Sequence, residues 1–290
     1  MLNPNLNRQI RKILPDLKVS FFLLVWNGVF HSLTLSTLLY WSFTSPRVPE
    51  LSRMSTLNQF WTENQILFAT ICTVSGAFFF KDRLADFIRG YFASRSVFWV
   101  NFLRGILFAT ALVVGLIWTK RYEFLGVSSQ FDLNFLSSYA WIFRALVVFL
   151  FVISSEFLTR VALPTAWLGT LTRLAIYWIW FTPTLPEAAT LILLFLLFTG
   201  AWSAAGFTSA LFIMTHAIFG LPFFENEFSG LLQLKVPLES MVNADYDYNA
   251  FLQNHYLQAT LLILLVIFRI SRMTTVKSSV KIFQERKSDS

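Results

Sequence analysis

Long apolar runs, separated by short polar or charged stretches, divide the chain almost from end to end. Residues 1–18 place Leu6, Ile10, Ile13, Leu14 and Leu17 at helical spacing, with Arg8, Arg11 and Lys12 between them. That is the pattern of a basic amphipathic helix lying on an anionic leaflet. The span that follows, about Val19 to Phe43, is too long for a signal-peptide core and lacks a small-residue cleavage site, so it reads as an uncleaved anchor. A second span covers about Gln65 to Phe80. Next, Leu84, Phe87, Ile88, Tyr91 and Phe92 form an apolar stripe flanked by Lys81, Arg83, Arg89 and Arg95, which predicts a second interfacial helix. A third span runs over about Val97 to Trp118, and after a loop a fourth helix runs from about Ser138 to Leu163. The stretch from about Ala166 to Phe181 is followed by Pro183 and Pro186. Residues 187–220 are almost continuously apolar around a small-residue patch, Gly200 to Gly206. They make either one long helix or two spans meeting at that patch. A polar loop over 221–249 precedes a last span, about Ala250 to Phe268.

Composition agrees with this pattern. The chain is 56% hydrophobic, 18% aromatic and only 13% charged, against about 25% charged residues in a soluble domain. Several apolar runs are long enough to cross a hydrocarbon core of about 30 Å. The fold class is therefore all-α: a polytopic transmembrane bundle with interfacial amphipathic helices. It divides into an amphipathic N-terminus (1–18), a membrane domain (19–268) and a basic tail (269–290). The single cysteine, Cys72, rules out an intramolecular disulfide framework. The formal charge of +7 does not call for nucleic acid, because basic residues collect at membrane faces for topological reasons.

Charge decides between topologies. Residues 1–18 carry +3, from Arg8, Arg11, Lys12 and Lys18 against Asp16. Four basic and two acidic groups give +2 over 81–96, and six against two give the tail +4. The 221–249 loop carries −4, from five acidic groups against Lys235. Eight spans put all three basic segments and both termini in the cytoplasm and the acidic loop outside, as the positive-inside bias prefers; seven would export the tail. In a bacterium this is the inner membrane.

Candidate chemistry sits on the fourth helix, where Glu156 and Arg160 are one turn apart and share a face. Charged groups at membrane depth are costly and are functional-site candidates by default. Two of the three histidines, His216 and His255, lie in later apolar segments. A glutamate and two histidines from separate helices can form a site in which the carboxylate activates water and the imidazoles stabilise an oxyanion. The same three groups are a known catalytic zinc set; the spacing specifies no metal, so a metal-free site ranks ahead of zinc.

Glu156-x-x-x-Arg160, Phe212-x-x-x-His216 and His255 resemble the motifs of the CPBP family, the CAAX-prenyl-protease-like and bacteriocin-processing intramembrane proteases. The resemblance covers about residues 138–268. It implies an eight-span α fold and an endopeptidase acting on membrane-associated or lipidated peptides, with the bilayer as the other partner. It further implies that the glutamate before Glu156 and the first histidine activate water, that the last histidine and an Asn or Asp four residues on hold the oxyanion, and that Glu156 pairs with Arg160. Here the first glutamate is Ser155, and the oxyanion position is Ala259; Asn254, beside His255, lies on a different side of its helix. Those departures imply weakened or lost proteolysis, with Glu156 as the remaining carboxylate. With eight spans, Glu156 lies toward the cytoplasmic side and both histidines toward the outer side, an offset of roughly 10 Å.

Plainer readings stand beside these. Glu156 with Arg160 is equally a structural clamp, and His216 and His255 singly are interhelical hydrogen-bond partners. A non-catalytic scaffold or maturation partner of the same fold is the opposing function. A small-solute transporter would show broken helices at mid-membrane, hinted at only by 200–206. Cys72 with Asn101 and Arg104 is similar to an exosortase pair but lacks the histidine expected soon after. Otherwise Cys72 is a small buried residue, His31 near Asn27 a packing contact, and Arg104 and Arg144 snorkel.

Overall fold

The computed structural model describes residues 4–44, 53–118, 123–127, 140–181, 200–219 and 231–235, with 189, 192–195, 197, 198 and 263 besides. The fold is helical: α1 Pro4–Thr44, α2 Arg53–Phe78, α3 Lys81–Trp118, α4 Ala140–Arg160, α5 Ala166–Phe181 and α6 Ala201–Phe212. A π-helical turn, Ile213–Ile218, continues α6. Among the described residues, three helices contain segments long and apolar enough to cross a membrane: Ile13–Thr44, Lys81–Trp118 and Ile142–Arg160.

Two expected boundaries are absent. The N-terminal amphipathic segment is not a separate helix but the start of α1, whose 41 residues extend over about 61 Å. Nothing between Lys18 and Phe22 breaks a helix, and Pro15 is tolerated within it. Leu14 and Leu17 are exposed while Asp16 is buried, so the apolar stripe here faces away from the protein. Likewise 81–96 is the first part of the 38-residue α3. Its stripe divides: Ile88 and Phe92 are exposed, whereas Phe87 is buried, stacked at 4.0 Å on Trp202 and 5.3 Å from Phe157.

Chain direction alternates through the bundle, as side-chain pairings show. On α1 and α2, Phe22 meets Phe79, Trp26 donates to the Cys72 carbonyl and His31 meets Trp61, so the pair is antiparallel. On α3 and α4, Arg83 reaches Ala162, Phe87 meets Phe157 and Phe98 meets Phe149, again antiparallel. Between α1 and α5, Ser20 bonds Thr172 and Asn27 bonds Trp180, a parallel pair.

The 187–220 stretch is not one helix. Residues 192–195 are helical, Phe198 is not, and α6 starts after Gly200, which is extended at φ −96° and ψ 137°. The small-residue patch serves packing: α6 runs parallel to α3 with their backbones in contact. A Cβ on Gly206 would lie 2.4 Å from the Phe98 carbonyl oxygen, and one on Gly105 2.5 Å from that of Phe207. Small residues let membrane helices approach in this way.

A two-stranded ribbon joins regions expected to be loops. Strand β1 (Glu123–Val127), after α3, pairs antiparallel with β2 (Leu232–Lys235), with Glu123 opposite Lys235 and an irregularity between Phe124 and Gly126. The ends of α3 and of the α6 segment therefore lie on one side of the bundle. The core between helices gathers Phe151, Ile176, Tyr177, Trp180, Phe207 and Leu211.

Candidate functional site

The C-terminal half of α4 carries Ser154, Ser155, Glu156, Thr159 and Arg160 into the protein interior. Thr159 caps its own turn by donating to the Ser155 carbonyl at 2.7 Å. Ser154 Oγ donates to Thr73 Oγ1 at 2.8 Å, and Thr70 reaches the Val147 carbonyl, fixing α4 against α2. After Arg160 the helix closes with a wide turn in which the Ala162 amide donates to Phe157. The chain then reverses into α5, whose start Asp16 holds by accepting from the Thr165 amide and hydroxyl.

Glu156 is fully buried. Arg160 Nε donates to Oε2 at 2.5 Å, as the one-turn spacing predicts. The second oxygen is also engaged: Arg173 Nη1, from α5, donates to Oε1 at 2.5 Å. Arg160 is anchored further, through Nη1 to the Phe198 carbonyl (2.6 Å) and Nη2 to that of Phe195 (2.9 Å), with its guanidinium 3.9 Å from the centre of the Phe195 ring. One carboxylate thus faces two guanidinium groups, leaving an excess of one positive charge in this three-residue cluster. Arg173 is 1% exposed, and its Nε and Nη2 find no partner among the described residues. Ser155 Oγ is likewise buried without a partner among the described residues, and the Arg173 guanidinium lies 5.7 Å from the centre of the Tyr177 ring.

Arg173 was not among the residues expected at this site. Its signal was nonetheless present: a lone cation seven residues into the otherwise uncharged helix Ala166–Phe181, with one buried carboxylate on the preceding helix. A cation at such depth needs an anion.

The fold does not bring Glu156 level with Phe212 and His216. Phe157 and Trp202 both pack on Phe87, which places Glu156 near the start of α6. His216 lies 14 residues after Trp202 on the same run, about 20 Å of helical rise. Phe212 is buried at the entry to the π-turn that contains His216. The His216 side chain, and His255, Asn254 and Ala259 altogether, lie outside the described residues. Among the described residues, no three His, Cys, Asp or Glu side chains are placed to hold a metal ion. With both its oxygens on guanidinium groups, Glu156 does not fit the zinc ligand set.

The remaining candidates separate. His31 packs edge-on against Trp61 and Trp180 at 5.1 and 5.2 Å. Asn27 Oδ1 accepts from Trp180 Nε1 and from Cys72 Sγ, a buried thiol between α1 and α2. Arg104, exposed on α3, donates to Asn101 of its own helix at 3.3 Å and shares no partner with Cys72.

Beside the clamp, an open cleft of about 440 Å³ lies between the end of α4, the start of α5 and Phe195–Phe198. Its wall includes Arg160, Thr159, Leu163, Trp167, Thr170 and Phe198. Comparison with protein-family models, curated proteins and solved structures finds no match to this chain.

Proposed function

We propose that the chain is a multi-pass membrane protein of CPBP-like design in which proteolysis is lost, acting as a scaffold or maturation partner for membrane-associated or lipidated peptides. The observation that carries this reading is the engagement of Glu156 at both oxygens by Arg160 and Arg173, with the residue 0% exposed. A general base must reach the proton it removes directly or through one water. A carboxylate so enclosed is closed to bulk water. Ser155, at the position where the family has its water-activating glutamate, has a hydroxyl with no useful basicity near neutral pH. The rise of about 20 Å between the level of Glu156 and His216 exceeds the combined reach of the two side chains. The Glu156–Arg160 pair itself is what the resemblance implies for a structural role.

The eight-span topology with cytoplasmic termini belongs to the same proposal. Helices α3 and α6 are parallel, and β1 pairs with β2 beyond their ends. Between those ends the chain descends through α4, rises through α5, returns to the Arg160 end at Phe195–Phe198, and rises again through α6. One further span over 250–268 brings the basic tail to the side of the other basic segments, as the charge bias favours.

The test is hydrolysis of a farnesylated C-terminal CAAX peptide by the full chain in proteoliposomes. The expected result is no cleavage by the unaltered protein and none by Ser155→Glu with Ala259→Asn, because a carboxylate at 155 stays level with 156. Cleavage by the unaltered chain, lost in Glu156→Gln while the fold is retained, would overturn the proposal.

A further inference from the structure

The cleft beside Arg160 has a use that the clamp does not explain. A guanidinium group has five N–H donors, and three of Arg160's are directed to Glu156, Phe198 and Phe195. Among the described residues, one N–H on each terminal nitrogen remains without a partner, and the side chain is 7% exposed, lining the cleft. The rest of the wall is mainly apolar, with Leu163, Phe195 and Phe198 inside and the half-exposed Trp167 at the rim. Among the described residues, the charged side chains bonded into this corner are Arg83, Arg160 and Arg173 against Asp16 and Glu156, an excess of one cation. Arg83 donates to the Ala162 carbonyl from the start of α3, so the cleft opens at the end of the bundle where the basic 81–96 segment lies. Anionic lipids concentrate at basic membrane faces, each nearby Lys or Arg adding about 1 kcal/mol.

We infer that this cleft is a binding site for an anionic phospholipid, whose phosphate meets the two remaining Arg160 N–H groups while an acyl chain lies along Leu163, Trp167 and Phe198. The chemistry shared with free phosphate is a tetrahedral oxyanion on a guanidinium edge. The apolar wall selects the lipid, because a free anion leaves that wall uncovered. The site is independent of whether the chain hydrolyses peptides.

The test is native mass spectrometry of the full chain titrated separately with phosphatidylglycerol, phosphatidylcholine and inorganic phosphate. Retained phosphatidylglycerol, bound at least about fivefold more tightly than phosphatidylcholine, is the expected result. Thr170→Trp fills the cleft without touching the clamp, and Trp167→Ala opens its rim. Each should weaken phosphatidylglycerol retention about fivefold and leave the melting temperature in phosphatidylcholine unchanged. Equal retention of both lipids, equal binding of inorganic phosphate, or undiminished phosphatidylglycerol retention in folded forms of both variants would overturn the inference.

Discussion

Two cations share one anion between the end of α4 and the middle of α5, and the three residues are not equivalent. Removing one partner of a buried ion pair costs about 3–5 kcal/mol, because the other is left uncompensated. Glu156→Gln leaves two buried guanidinium groups facing each other and should destabilise most. Arg160→Met releases Glu156 Oε2 and also the carbonyls of Phe195 and Phe198, so it should come second. Arg173→Met removes the unbalanced charge together with two nitrogens that have no partner among the described residues, and Glu156 keeps Arg160, so it should cost least. Melting temperatures of the three variants in one detergent check that order; Arg173→Met as the most damaging would contradict it. The i,i+4 pair was legible in the sequence because a helix fixes which residues share a face. Arg173 was not, because its partnership depends on how α5 folds back on α4.

At the scale of elements, α3 and α6 lie against each other at Gly105 and Gly206, where a side chain has no room. Gly206→Leu would drive its side chain into the backbone of Phe98 and Phe102 and force the helices apart. The expected outcome is a loss of folded protein, measured as the monodisperse fraction after extraction, with Gly28→Leu as the neutral control because no atom of the described residues lies within 4 Å of a Cβ there. Equal behaviour of the two variants would contradict the close contact. The extents of α4 and α5 could be read closely from their apolar runs, since Pro164 and the residues around it separate them. The continuity of α1 and α3 could not, because an amphipathic stripe running into an apolar span has no breaker to mark where orientation changes. The ribbon was hidden for a different reason: strands of 5 and 4 residues within polar stretches give too short an alternation to register.

Over the whole molecule, register rather than motif decides what can meet. The three motif residues are present in sequence order, yet Glu156 lies near the start of α6 while His216 lies near the end of that run. Sequence spacing set an offset of roughly 10 Å by counting residues from presumed membrane faces; the stacking of Phe87 on Trp202 ties the two helices together lower and lengthens it. The side on which each loop lies is open to a direct check. Cys72 is buried and is the chain's single cysteine. Glu123→Cys with Lys235→Cys should therefore cross-link on mild oxidation in intact membranes, because the two residues face each other across the ribbon. A reporter fused after Ser290 should report cytoplasm. Failure to cross-link, or an exported tail, would remove the eight-span arrangement.

Whether Glu156 is a clamp or a base is decided most directly by one paired measurement on Glu156→Gln: its melting temperature and its hydrolysis of the farnesylated peptide, each beside the unaltered chain. If Glu156 is a clamp, the melting temperature falls by roughly 10 °C and neither protein cleaves the peptide. If the unaltered chain cleaves it and Glu156→Gln abolishes cleavage with no change in melting temperature, Glu156 is the base.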